Sequence, residues 1–384
     1  MKKVVCLMMA ALMVCMFAAC GGSSSSTSGS ASNALKIGGT GPLTGAAAIY
    51  GNAAKQGAEI AAEEINAQGG LQVELKYEDD VHDAEKAVNA YNALKDWGMV
   101  CSLGSVTSTP CVATSTSTFE DRIFAITPSA SSPAVIEGKD NQFQVCFSDD
   151  NQGTASANYI ASKGLAKKVA VIWKNDDVYS KGIYTTFMAG CQANGLEVVS
   201  DTTFTSDSQT DFSVQLTQAQ SAGAELVFLP IYYDAASLIF AQANDMGYKP
   251  GWFGVDGMDG ILDLENFDTS LAEGVMLLTP FSADAADERT QSFVKKYTEK
   301  YGSTPNQFAA DAYDCVYALY QACKAAGIDG TWSAKDACDK LIEQFTTMSF
   351  DGLTGNGMTW DKTGAVAKDP KAVVIQNGAY VGLD

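Results

Sequence analysis

A single histidine, His82, limits the acid–base chemistry open to this 384-residue chain. A Ser-His-Asp triad would have to use it, and no serine stands in a Gly-x-Ser-x-Gly elbow to serve as nucleophile. HExxH zinc chemistry needs two histidines and is excluded. His82 lies between Asp80 and Asp83, just past a predicted strand, where a solvated loop residue is expected. Adjacent carboxylates occur at Asp149-Asp150 and Asp176-Asp177, but a chain with 45 Asp and Glu throws up such pairs by chance. The glycines from Gly39 to Gly45 have the wrong spacing for a dinucleotide fingerprint, and Pro42 stiffens the turn, so they read as turn residues. A more promising stretch is Gly104-Ser105-Val106-Thr107-Ser108-Thr109-Pro110. Thr109 suits an N-cap and Pro110 the first helical position. Unpaired N–H groups and the helix dipole at the carboxyl end of a strand favour an anion, with the Ser108 hydroxyl beside them. A plain capped helix explains the same residues equally well.

The elements that would position such a site alternate. Strands are expected over 35–39, 71–77, 99–103 and 122–126, with helices over 52–67, 83–97 and 109–120 between them. A second series follows from about residue 149: strands over 168–173, 196–200, 226–229 and 251–254, helices over 179–194, 211–222 and 235–245. Strand–helix alternation gives parallel sheets covered on both faces, so the chain reads as two similar α/β lobes. Beyond Pro280 come helical patterns over 287–301 and 306–326, then a terminal hairpin around 373–380.

The amino terminus is different. Lys2 and Lys3 precede an apolar run from Val4 to Ala19, shorter than the about 20 residues a spanning helix needs. This is the layout of a secretory signal. Phe17-Ala18-Ala19-Cys20-Gly21 resembles a bacterial lipobox, in which cleavage precedes Cys20 and lipid is added there. Residues 21–32 are almost entirely Gly, Ser and Thr and behave as a flexible tether. Of the ten cysteines, seven lie in the body; the number is odd and none forms a CxxC pair, so they read as buried small hydrophobes rather than metal ligands. A formal net charge of -20 argues against nucleic-acid binding.

An ordered set of stretches resembles the leucine/isoleucine/valine-binding proteins of ABC importers. They are Gly41-Pro42-Leu43-Thr44-Gly45, Tyr50-Gly51, Gly57-Ala58-Glu59 running on to Gly70, Glu78-Asp79-Asp80, Gly104 to Ser108, Ile126 to Pro133, Tyr179 to Gly182, Asp211-Phe212-Ser213, Gly254 to Gly257, and Leu353 to Asp361. The resemblance runs over nearly the whole body. It implies an α/β clamshell of the type I periplasmic binding protein kind, two Rossmann-like lobes joined by three crossovers near 145–149, 279–282 and 357–364. The implied organisation is a lipoprotein signal at 1–19, a tether at 20–33, one lobe from 35–147 plus 281–357, and the other from 149–279 plus 364–384. Ser108 then corresponds to the α-carboxylate site, and Ser129 and Ser131 to the loop that contacts carboxylate and ammonium through a backbone carbonyl and a hydroxyl. Asp256 corresponds to the acid that pairs with the ammonium. Tyr50, Tyr179 and Tyr232 match aromatic positions flanking the ligand, and Phe308 lines the side-chain pocket. The chain departs from the pattern in three ways: Asp256 replaces a longer Glu, Ser131 replaces Thr, and His82 and Thr107 occupy a disulfide pair's positions. The expected function is capture of an amino acid, branched-chain or otherwise apolar, and delivery to a permease. The chain is expected to be a monomer anchored outside the cytoplasm through Cys20, without cofactor or enzymatic turnover. An amide or urea-like solute, or sensing without transport, are the alternative readings.

Overall fold

The structure, a computed structural model, describes residues 33–383. The expected signal, the lipid site at Cys20 and the tether up to residue 32 lie outside these residues.

A first sheet of five parallel strands has the order β2-β1-β3-β4-β5. Its strands are β1 (Leu35–Gly41), β2 (Val73–Asp79), β3 (Cys101–Ser105), β4 (Phe124–Thr127) and β5 (Gln142–Gln144). Three helices link the first four: α1 (Ala48–Gln68), α2 (Ala84–Trp97) and α3 (Ser108–Asp121). Every residue of β3 and β4 is buried, as expected of parallel strands covered on both faces. The chain then enters α4 (Asp149–Ser162) and builds a second sheet. Its strands are β6 (Lys168–Lys174), β7 (Glu197–Phe204), β8 (Leu226–Leu229), β9 (Gly251–Gly254), β10 (Met276–Thr279), β11 (Lys371–Gln376) and β12 (Ala379–Gly382), in the order β12-β11-β10-β9-β8-β6-β7. Helices α5 (Val178–Asn194), α6 (Ser213–Ser221) and α7 (Tyr233–Asp245) cover it.

Between β10 and β11 the chain returns to the first sheet through α8 (Glu288–Tyr301), α9 (Gln307–Ala326) and α10 (Ala334–Phe345). Helix α9 packs along α1, and α10 against β4. The α1–α9 approach depends on Gly57, where a Cβ would fall 1.9 Å from the Ala309 carbonyl oxygen. That closeness sets Phe308 beside Tyr50. The last passage between the halves comes later than the 357–364 expected: Gly364 still accepts from the Gln144 N–H at 3.0 Å, and β11 begins at Lys371.

Several elements differ from expectation. Helix α1 starts at Ala48, not at 52, and α3 starts at Ser108, with Thr107 as N-cap in place of Thr109. Pro110 is thus inside the first turn, where its missing N–H has no helical partner to lose. Strands β5 and β10 and helices α4 and α10 were not anticipated. Helix α4 is mostly polar and small residues, with little apolar periodicity to reveal it. In α10 the signal was present: Ala337, Cys338, Leu341 and Phe345 form one buried face.

Candidate solute site between the two sheets

Strands β3 and β4 end side by side, and the loops that follow are laced together. Thr127 Oγ1 donates to the Ser105 carbonyl at 2.8 Å, and Ser129 Oγ to the Val106 carbonyl at 2.6 Å. Ser132 N–H donates to Ser108 Oγ at 3.3 Å, and Gln144 Nε2 bridges the Ala130 and Ser132 carbonyls at 2.7 and 3.1 Å. These bonds fix the α3 N terminus against the 129–132 loop. The Ser129 hydroxyl is committed to holding the loop, whereas the buried Ser131 hydroxyl has no hydrogen-bond partner.

The opposite wall comes from the second sheet. Asp256 follows β9, Tyr232 follows β8, and Tyr179 sits in the first turn of α5, whose N-cap Asp177 accepts from Ser180 N–H. The Tyr179 and Tyr232 rings stack at 4.7 Å with 9° between planes. Tyr179 Oη donates to Asp256 Oδ1 at 2.5 Å and accepts from Gly257 N–H at 2.9 Å. Gln152 Oε1 takes the Asp256 N–H at 3.2 Å, and Gln307 Nε2 donates to the Asp256 carbonyl at 2.9 Å. Burial pushes the Asp256 carboxyl up to about 7, against the opposing pull of Tyr179, the Gly257 N–H and Gln152.

Tyr50, Ser108, Ser129, Tyr179, Tyr232, Asp256 and Phe308, seven of the eight expected binding residues, line one cavity together with Val106, Thr107 and Gly257. Ser131 lies immediately behind, fully buried. The walls nearly touch, leaving a free volume of about 10 Å³. The halves meet through exchanged tyrosines. Tyr50 Oη donates to the Gly257 carbonyl at 2.5 Å and accepts from Tyr233 N–H at 3.1 Å. In return, Tyr233 Oη donates to the Ala46 carbonyl at 2.7 Å and accepts from Ile49 N–H at 3.3 Å. The sequence pattern points to Tyr232 and carries no signal for its neighbour Tyr233.

His82 is not the solvated loop residue expected. Its Nδ1 lies 2.8 Å from Thr107 Oγ1, its ring stands edge-on to Tyr232 at 5.4 Å, and burial lowers its pKa. The two positions that the resemblance assigns to a disulfide are therefore joined by a hydrogen bond. On the far side of Tyr232 a second chamber of about 120 Å³ is lined by His82, Lys174, Asp177, Gln209 and Asp234 among others. Asp149 was also missed, set aside as one of a chance pair; it is fully buried at the start of α4, and its N–H donates to the Ser131 carbonyl at 3.0 Å.

Two α/β halves closing on a cavity with a helix N terminus on one wall and a buried carboxylate on the other define a solute-binding clamshell. A family model described as "Periplasmic binding protein" matches residues 34–379. Leu/Ile/Val-binding protein homolog 3 of Brucella melitensis is 32% identical over 295 residues, 74% of this chain and 79% of the relative. Leucine-binding protein LivK of Thermotoga maritima superposes with a TM-score of 0.82 at 27% identity, covering 91% of this chain and 98% of that one. The branched-chain amino acid transporter substrate-binding protein LivJ of Streptococcus pneumoniae, solved with isoleucine, gives 0.81 at 28% identity, covering 91% and 99%. The chain belongs to the periplasmic binding protein family, among the relatives of the Leu/Ile/Val-binding proteins.

Proposed function

We propose that this chain captures an amino acid of apolar side chain between its two halves and delivers it to the permease of an ABC importer. The observation that carries this reading is charge complementarity: the α3 N terminus and the Asp256 carboxylate face one cavity from opposite walls. An amino-acid zwitterion has the matching pair of charges. The solute carboxylate takes the N–H groups of α3 and the Ser108 hydroxyl. The ammonium takes Asp256, the Ser131 hydroxyl and the Ser129 carbonyl. Tyr50, Tyr179, Tyr232 and Phe308 enclose the side chain. The lobe division is that expected from the sequence, 35–147 plus 281–357 and 149–279 plus 364–384, with the last passage moved to between Gly364 and Lys371. Closure on a solute touching both lobes shifts the population toward the closed form. Among the described residues no helix is long and apolar enough to cross a membrane. Attachment outside the cytoplasm is assigned to a lipid on Cys20, and Cys20→Ala should release the chain from membranes; undiminished membrane attachment would refute that assignment.

The test is thermal stability of protein stripped of bound solute by unfolding and refolding, measured with a panel of L-amino acids. A ligand at 1,000 times its Kd adds about 4 kcal/mol, an evident rise in Tm. Leucine, isoleucine or valine should produce it, and Asp256→Ala should abolish it while remaining folded. A panel in which no amino acid raises Tm overturns the reading and points to amide or urea-like solutes.

A further inference from the structure

Asp149 is fully buried, and neither of its carboxylate oxygens has a hydrogen-bond partner. Its surroundings place it at the ammonium end of the cleft. Its backbone N–H holds the Ser131 carbonyl, and its side chain neighbours the Ser131 hydroxyl without forming a hydrogen bond of good geometry. One turn along α4, Gln152 holds the backbone N–H of Asp256. Gly182 of α5 presses on the carboxylate from behind: a Cβ there would lie 2.7 Å from Asp149 Oδ2. The Thr186 hydroxyl of the same helix goes to the Asp149 carbonyl at 3.4 Å, not to its carboxylate. The charged groups around it are Asp150 on its own helix, Asp177 at the start of α5, and Asp256 after β9. The cation nearby, Lys368, is already bound to Asp311 at 3.0 Å.

Two buried carboxylates and a buried unpartnered hydroxyl thus share one region without a positive charge of their own. We propose that Asp149 is a second carboxylate of the ammonium site, so that the solute's ammonium is held by Asp149, Asp256 and the Ser131 hydroxyl together. The proposal rests on the amino-acid reading above and extends it: the site requires a primary ammonium, and a solute lacking one is rejected even with an identical carboxylate and side chain. Burial raises both carboxyls, so the ligand-free pair retains a proton near neutral pH. Arrival of the ammonium expels that proton to the buffer, and affinity weakens as pH falls below about 7.

Calorimetric titration of the full chain with L-leucine, L-isoleucine and L-valine, in buffers of different ionisation enthalpy between pH 6 and 8, measures both affinity and proton release. Wild type should release a proton on binding. Asp149→Asn keeps the shape and removes the charge. It should weaken amino-acid binding at least tenfold at pH 7.5 and flatten the pH dependence. Its discrimination against 4-methylpentanoate, leucine without its amine, should fall. Asp149→Ser serves the same purpose if the Asn variant does not fold. Amino-acid binding by Asp149→Asn within twofold of wild type, or binding by wild type with no proton released across that range, overturns the proposal while leaving the function standing. Failure of the wild type to bind any amino acid overturns the functional reading itself.

Discussion

Two groups of buried carboxylates in this molecule are built on opposite plans. Around α9, Asp314 accepts from the Leu353 and Thr354 N–H groups at 2.8 and 2.9 Å and from Thr354 Oγ1 at 2.6 Å. Its neighbour Asp311 pairs with Lys368 Nζ at 3.0 Å, and Lys368 also reaches Thr354 Oγ1 at 2.6 Å. These acids tie the 353–368 strap to α9, and the chain supplies a donor to every carboxylate oxygen of the pair except Asp311 Oδ2. Behind the cleft, neither Asp149 carboxylate oxygen has a hydrogen-bond partner, and Asp256 Oδ1 takes the Tyr179 hydroxyl; neither acid is paired with a cation among the described residues. A buried charge is tolerable only when compensated. The first group is compensated from within; the second is left for something that arrives.

The largest test of that contrast is Lys368→Met. It strands Asp311 and should lower unfolding stability by about 3–5 kcal/mol, read from urea denaturation; a loss under about 1 kcal/mol would show that the strap needs no internal cation. Next is pH. Burial raises Asp80 and Asp256 to about 7 and Asp259 and Asp311 to about 6, above the unfolded value near 3.9. The folded state therefore binds more protons than the unfolded one across about pH 4 to 7, and ligand-free stability falls as pH rises through that window. Each retained proton contributes about 1.4 kcal/mol per pH unit. Asp256→Asn should remove part of that slope, and chemical denaturation at pH 5, 6 and 7 measures it. An unchanged slope would place the retained protons elsewhere. Smallest is Tyr233→Phe, which removes its bonds to Ala46 and Ile49. It should reduce solute affinity by a factor corresponding to about 1 kcal/mol, with little change in global stability. A change in stability without one in affinity would make this tyrosine a packing residue.

Much of the fold was legible because α/β alternation leaves a clear signature: Leu226-Val227-Phe228-Leu229 is a buried strand by composition alone. Helix α4 was not legible, since its face against α5 is made of Gly153, Ser156 and Ala157 and packs by smallness rather than by apolar bulk. The site residues were named from ordered stretches shared with a family, and seven of the eight line one cavity. Asp149 looked like any other acid in an acidic chain. Its burial follows from Ser131 and Gly182, far apart in sequence, meeting over the start of α4. Tyr233 and His82 were obscure for the same reason, their partners being at Ala46 and Thr107.

The seven body cysteines are all free and buried. Burial pushes the thiols of Cys111 and Cys338 up to about 11, those of Cys191 and Cys323 to about 12, and raises the others further. A thiol reacts as thiolate, so none is alkylated while its surroundings stay intact. Five belong to β3, α3, α9 and α10 beside the first sheet, Cys146 to the passage between the halves, and Cys191 alone to α5 on the second. Their alkylation rates form a native clock. Labelling of Cys191 dates the opening of one half and labelling of Cys323 the other, so a difference between them measures how far the halves unfold independently.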